Sequence, residues 1–275
     1  MSHPENISIS EFARRIRKHV IQMTSRANSS HIGSCLSMTD ILATLYGKIL
    51  KFDAKRPDWS DRDRLLLSKG HGCAALYAAL AETGYFPKEW LDTYYLNGTH
   101  LAGHATHKGT PGVELSTGSL GHALPVACGM TLAGKRDGKS YRAFVILSDG
   151  ECDEGSNWEA ALFAPHHKLD NLVVIIDYNK IQSLGRVKEV IDLDPLPDKW
   201  HAFGWGVREI DGHDLKALDE ALTAVPLKAD RPSCIVAHTV KGKGVSFMED
   251  KLLWHYTAPK GDELPKALAE IEAAK

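Results

Sequence analysis

Two oxygen-bearing side chains occupy matching places in this chain. Asp149 follows the apolar run 142–148 (RAFVILS), and Asn179 lies two residues beyond the apolar run 171–177 (NLVVIID). A carboxylate and a carboxamide oxygen are hard donors. With a backbone carbonyl near Ile181 they suit Mg2+ or Ca2+, whose remaining positions are filled by water and by phosphate oxygens of a ligand. The sequence has no GxxxxGK[ST] loop and no GxGxxG after a strand. The usual phosphate cradles are therefore missing, and a metal must do more of the work of holding a diphosphate.

For the two donors to meet, their runs must be neighbouring parallel strands. Both runs are short and β-branched, which suits strands buried on both faces, and residues 157–168 between them read as a crossover helix with Ser156 and Glu159 as its capping box. Strands joined this way point the same way about 4.8 Å apart, so their carboxyl ends emerge side by side at one edge of the sheet. Further strands are expected at 64–68, 205–210 and 234–239. Helices are expected at 8–26, with Ser8 and Glu11 as a capping box, and at 39–50, 74–83 and 264–274. A helix opened by Gly121 and running through Ala133 would present its amides and dipole to an anion. Residues 97–118 read as a long loop rich in Gly and His. The pattern is an α/β fold, a doubly wound, mostly parallel sheet with helices on both faces.

Composition bounds the function. A chain of 275 residues with 43% hydrophobic content can bury the core of one α/β domain. The 33 basic and 35 acidic residues nearly balance, leaving no electrostatic footprint for nucleic acid or an anionic membrane. The five cysteines show no CxxC spacing, which favours reduced thiols over a disulfide frame or a zinc site. The polar N-terminus and the lack of an apolar run of about 18 residues lead us to expect a soluble, cytoplasmic protein without signal peptide or membrane span. Histidine is frequent, at 14 residues, but no two of them are spaced for metal ligation on one expected helix; the His100-x-x-x-His104 spacing falls in the Gly- and His-rich loop.

The motifs around these features resemble those of transketolases. From about Ile9 to Pro259, and in the family's order, the chain carries Ser30-His31-Ile32-Gly33, Ser68-Lys69-Gly70-His71-Gly72, Gly103-His104, Ser116-Thr117-Gly118-Ser119-Leu120-Gly121, the Asp149-Gly150-Glu151 to Asn179-Lys180 segment, Thr239-Val240-Lys241-Gly242-Lys243-Gly244 and Trp254-His255. The resemblance implies the diphosphate-binding domain of the thiamine diphosphate fold. Thiamine diphosphate would be held by His71, Gly118, Leu120, Gly121, Asp149, Gly150, Glu151, Asn179, Ile181 and Lys241, with Mg2+ or Ca2+ on Asp149, Asn179 and Ile181. It further implies that His31, His71, His104 and His255 surround the thiazolium and the sugar hydroxyls as proton shuttles, and that Glu154 meets its counterpart near a dimer interface as a catalytic proton relay rather than a metal ligand. Lys241 and Lys243 lie in a Lys-Gly-Lys-Gly stretch that reads as a solvated turn, yet by resemblance Lys241 approaches cofactor or substrate. His100, His107, His166, His167 and His213 fit no such motif and are expected to be solvated. Cys152 lies in the metal loop with no base apparent beside it, so a catalytic thiol is not expected.

Departures matter too. His122 stands where Gln is common in the family, and Ser29-Ser30 stands for the usual Ser-Gly. Transketolases also continue into a pyrimidine-binding domain and a third domain, whereas residues 1–275 read as a single diphosphate-binding domain. The expectation is an N-terminal subunit of a split transketolase, transferring a two-carbon ketol unit from a ketose to an aldehyde acceptor. It would work with a C-terminal subunit carrying the pyrimidine domain, as an α2β2 assembly. Two alternatives remain open at this point. One is a subunit of another thiamine diphosphate enzyme, such as a deoxyxylulose-phosphate synthase or a 2-oxo-acid dehydrogenase component, which would not be expected to share SKGHG, STGSLG and WH together. The other is a non-catalytic partner.

Overall fold

Strand β2 (Ala143–Ser148) is apolar from Ala143 to Leu147, and alternate residues point to opposite faces of the sheet. Phe144 and Ile146 enter one hydrophobic cluster, while Ala143, Val145 and Leu147 enter another. Strand β3 (Leu172–Tyr178) divides the same way, with Val173 and Ile175 on one side and Leu172, Val174 and Ile176 on the other. A sheet with two buried faces needs continuous apolar runs of this kind. The computed structural model describes residues 7–273. With β1 (Arg64–Leu67), β4 (Gly206–Asp211) and β5 (Ser233–His238), the sheet has order β1-β2-β3-β5-β4, and every pair is parallel.

One face is covered by α1 (Ile9–Ala27), α2 (Ile32–Ser37), α3 (Thr39–Thr44) and α4 (Cys73–Glu82), the other by α5 (Ala123–Arg136) and α6 (Gly155–His166). The expected doubly wound architecture is what forms, and the expected strands agree within a residue or two at their ends. Local details differ for identifiable reasons. Ser8 caps α1 by accepting from the Glu11 amide at 3.1 Å, but the Glu11 carboxylate turns to Arg14 and Arg15 instead of closing the box. The expected Ser156–Glu159 capping box is absent. Helix α6 begins earlier, after Glu154, and the Ser156 hydroxyl donates to the Gly121 carbonyl at 2.7 Å. Helix α5 begins at Ala123, not Gly121, and α3 widens into a π turn over Leu45–Ile49. Short helices Ile32–Ser37, Leu196–Ala202 and Leu215–Thr223 have no counterpart among the expected elements. The last helix runs Glu263–Ala273, and the expected terminal residue Ala274 lies outside the described residues. Among the described residues no helix is long and apolar enough to cross a membrane.

Candidate active site

Because all strands are parallel, the chain leaves each of them at the same edge, and four of these exits lead straight into polar motifs. Strand β1 runs into Ser68-Lys69-Gly70-His71, β2 into Asp149, β3 into Asn179, and β5 into Thr239-Val240-Lys241. In the β2–β3 register Ser148 stands opposite Asp177, which brings the two loop entries level. A cleft of about 480 Å³ opens here, lined by Ser34, His71, Leu120, Asp149, Gly150, Asn179, Ile181, Lys241 and His255 among others. Open α/β sheets bind ligands at this edge.

The three expected metal donors come together in this cleft. Asp149 is almost wholly buried, and its Oδ1 and Oδ2 accept the Gly150 and Lys180 amides at 2.8 and 2.6 Å. Lys180 takes the left-handed conformation (φ 70°), which turns the chain so that Asn179 Oδ1 accepts the Ile181 amide at 3.2 Å. Burial and the neighbouring Asp177 push Asp149 up to about 6. A buried carboxylate so short of positive charge suits a divalent cation, and the all-oxygen donor set is the kind that Mg2+ and Ca2+ prefer. The Ile181 carbonyl also accepts the Lys241 ammonium at 2.9 Å, which brings a cation to the same edge.

Lys241 lines the cleft, as the resemblance implies, and is not the solvated turn that Lys-Gly-Lys-Gly by itself suggests. It is 1% exposed, and its ammonium also donates to His255 Nδ1 at 2.9 Å. An imidazole nitrogen that accepts from an ammonium carries no proton, so the ring proton of neutral His255 sits on Nε2. Burial, then Lys241, hold His255 down to about 3. His31 packs against it, with ring centroids 4.9 Å apart, and lies 5.2 Å from His71 and 5.6 Å from His104. His31 has φ 73°, rare for a residue with a side chain, and its amide donates to the His255 carbonyl at 2.8 Å. Burial, then His104 and Lys241, lower His31 to about 4, and burial with Lys69 lowers His71 well below the ordinary histidine range. These imidazoles are neutral at pH 7, serving as hydrogen-bond donors and acceptors. His104 is the exposed member of the four, at the outer side.

Other expected residues stand back from the cleft. Glu151 is fully buried and faces inward, and its carboxylate is taken up by the Ser68 hydroxyl and by the Gly121 and Ser148 amides. It braces the turn, and it also consumes the Gly121 amide that a helix N-terminus would have aimed at a diphosphate. Gly121 itself has φ 82°, and a Cβ there would meet Ser156 Oγ at 2.5 Å. Gly118 lies beside His104, where a Cβ would come 3.0 Å from the ring, so of this turn Leu120 alone lines the cleft. Glu154 is exposed at the start of α6 and does not line the cleft. Cys152 is buried, and burial together with Glu151 and Asp149 pushes its thiol well up, as befits an unreactive sulfur.

His213 corrects an expectation. It is not solvated: Nδ1 donates to Asp40 Oδ2 at 2.8 Å, Nε2 accepts the Val240 amide at 2.9 Å, and Arg17 clasps Asp40 from the other side. His100, His107 and His166 are exposed as expected, while His167 is half-buried against the Phe163 ring, with centroids 4.1 Å apart. No role was expected for Lys69, although it lies in the Ser68–Gly72 motif, or for Asp177; the two form a fully buried ion pair beneath the cleft. The available signal was an aspartate ending an otherwise apolar strand two residues before Asn179.

Fold and site together define a domain of the thiamine diphosphate-binding class. A family model described as "Transketolase, thiamine diphosphate binding domain" matches residues 8–271, and the chain belongs to the transketolase family as this N-terminal domain. It is 42% identical over 274 residues to an apulose-4-phosphate transketolase subunit from Actinobacillus succinogenes, covering 98% of this chain and 99% of that one. It is 43% identical over 268 residues to a 6-deoxy-6-sulfo-D-fructose transketolase subunit from a Clostridium species, covering 98% of each. The solved transketolase from Leishmania mexicana superimposes with a TM-score of 0.91 at 30% identity, over 97% of this chain and 41% of that one. That from Campylobacter jejuni gives 0.90 at 33%, over 97% and 43%. The chain thus spans nearly the whole of the subunit relatives and about two fifths of the solved transketolases.

Proposed function

We propose that this chain is the diphosphate-binding subunit of a split transketolase and forms a single such domain. The observation that carries the reading is the convergence of Asp149, Asn179 and Ile181 in one cleft with His71, Lys241 and His255, against whose rings His31 packs. The three oxygens would hold Mg2+ or Ca2+ on the cofactor's diphosphate, with Gly150, Leu120 and Lys241 around it. Thiamine diphosphate, when bound, supplies the carbanion chemistry by which a two-carbon ketol unit leaves a ketose and joins an aldehyde. The chain's own part is position and electrostatics. Neutral imidazoles of His31, His71, His104 and His255 would donate to and accept from carbonyl and hydroxyl oxygens of the sugar as their charge changes, with His255 donating from Nε2. Lys241 would stabilise negative charge on diphosphate or substrate oxygen. The names of the two subunit relatives support a partner chain bearing the pyrimidine domain, and a ketose with a phosphate or sulfonate end as donor. A twofold α2β2 assembly with Glu154 at the inter-subunit boundary follows from that reading, as does residence in the cytoplasm.

The test is a ketol-transfer assay with light scattering, on the chain alone and mixed with a second chain carrying the pyrimidine domain. Activity is expected only in the mixture, and Asp149→Ala should remove it. Robust turnover by the chain alone would overturn the split arrangement, and an active Asp149→Ala mixture would overturn the site.

A further inference from the structure

Asp177 is a fully buried carboxylate at the end of β3, and four side chains from four segments converge on it. Lys69, fully buried after β1, and the Ser37 hydroxyl of α2, at 2.6 Å, both donate to Oδ2. Thr239, following β5, donates to Oδ1. The fourth donor is Asn179, whose Nδ2 lies 3.4 Å from Oδ2. The Lys69 ammonium also reaches the Ser34 carbonyl at 3.1 Å. Neither Lys69 nor Asp177 lines the cleft.

We infer that the Lys69–Asp177 pair is a positioning device that fixes the Asn179 carboxamide with its oxygen toward the metal site and its nitrogen toward the core. The inference rests on the metal-binding reading proposed above. A carboxamide has a donor end and an acceptor end of nearly the same shape, and nothing in its size selects one orientation. An ionised carboxylate accepts only. Asp177 therefore takes the NH2 end, because the flipped amide would set two oxygens against each other in a dry environment. On the other side the Ile181 amide donates to Oδ1 at 3.2 Å, and an N–H could not pair with a flipped NH2. The two contacts agree, and the Asn179 oxygen is left on the side of Asp149 and the Ile181 carbonyl. Lys69 balances the charge of the buried carboxylate, which alone would be costly so deep in the fold.

The same hub holds more than one ligand in register. Ser37 and the Ser34 carbonyl belong to the helix capped by His31, Lys69 lies two residues before His71, and Thr239 two before Lys241. A buried ion pair of this kind is weak evidence for stability, since well-packed apolar residues of similar volume often serve folding equally well. Its orientation of the donor set is a role that an apolar replacement does not reproduce. Groups behind metal ligands typically account for about 10–100-fold in metal affinity.

The test uses the full chain with Mn2+ and thiamine diphosphate as probes, titrated by calorimetry, with thermal melting alongside. Asp177→Asn is the single variant. Because it leaves the Lys69 ammonium buried without its counter-charge and can fail to fold, the paired variant Lys69→Met/Asp177→Leu accompanies it. The paired variant is expected to stay folded but melt lower than wild type, because the Ser37 and Thr239 hydroxyls and the Asn179 NH2 lose an acceptor, and to bind Mn2+ about 10–100-fold more weakly. A purely structural pair would move melting and leave metal affinity alone. Mn2+ affinity within about twofold of wild type in the folded paired variant would overturn the inference while leaving the metal site standing. Failure of the wild-type chain to take up Mn2+ with thiamine diphosphate would overturn the metal site itself, and the inference with it.

Discussion

The Lys241 ammonium and His255 Nδ1 lie 2.9 Å apart, a buried cation donating to a neutral imidazole. The contact fixes the tautomer of His255 and, through the second Lys241 bond to the Ile181 carbonyl, ties that histidine to the edge where the metal donors gather. It also explains part of the depression of His255, which burial begins and the lysine deepens.

Replacing Lys241 with Met keeps the length and apolar volume of the side chain but removes the charge. His255 should then titrate nearer the ordinary histidine value, rising from about 3. The assembled enzyme should lose turnover more than cofactor affinity if the cation serves the changing charge on substrate. Ring-proton NMR of the variant, read beside steady-state kinetics, checks both. An unmoved His255 would show that Lys241 does not control it.

The stability of the chain should fall in mild acid in part through its buried histidines. His31 and His255 sit at about 4 and 3 in the folded state, against an ordinary value near 6.5 in the unfolded chain. Between those values the unfolded state binds more protons. The contribution is therefore complete above about 6.5 and is lost as pH falls from there towards about 4. Asp149 runs the other way: raised to about 6, it contributes stability below about 4 that is lost as pH rises through about 6. Urea midpoints between pH 4 and 7 should show a shallower acid loss in His255→Asn than in wild type. Parallel curves for the two proteins would refute this account.

Metal binding should have its own acid limb. Since burial and Asp177 hold Asp149 at about 6, a proton competes with the cation for that carboxylate. Mg2+ affinity in the presence of thiamine diphosphate should drop about fivefold between pH 6 and pH 5, and change little above pH 7. Calorimetric titration at fixed ionic strength is the measurement. A flat profile down to pH 5 would mean that Asp149 is ionised throughout and its burial is compensated by something other than the metal.

Much of this site was written in the sequence because its logic is local. Short, β-branched apolar runs of six or seven residues read as strands covered on both faces, and a crossover helix between two of them makes those strands parallel. Asp149 and Asn179 then have to emerge together, as they do. The motifs around His31, His71, His104 and His255 likewise announced a cluster that the fold assembles, with ring centroids about 5 to 6 Å apart. What the sequence could not decide is which polar groups turn inward. Asp177 meets Ser37, Lys69 and Thr239 across separations of 140, 108 and 62 residues, and no local pattern encodes such a meeting. For the same reason Lys241 reads as a solvated turn yet is buried, Glu151 reads as a cofactor contact yet braces Ser68 and Gly121, and His213 reads as surface yet links Asp40 to Val240. Strand and helix follow from the chain's own periodicity. The direction of a buried charge follows from the partner that makes its burial tolerable, and that partner arrives only when the sheet is built.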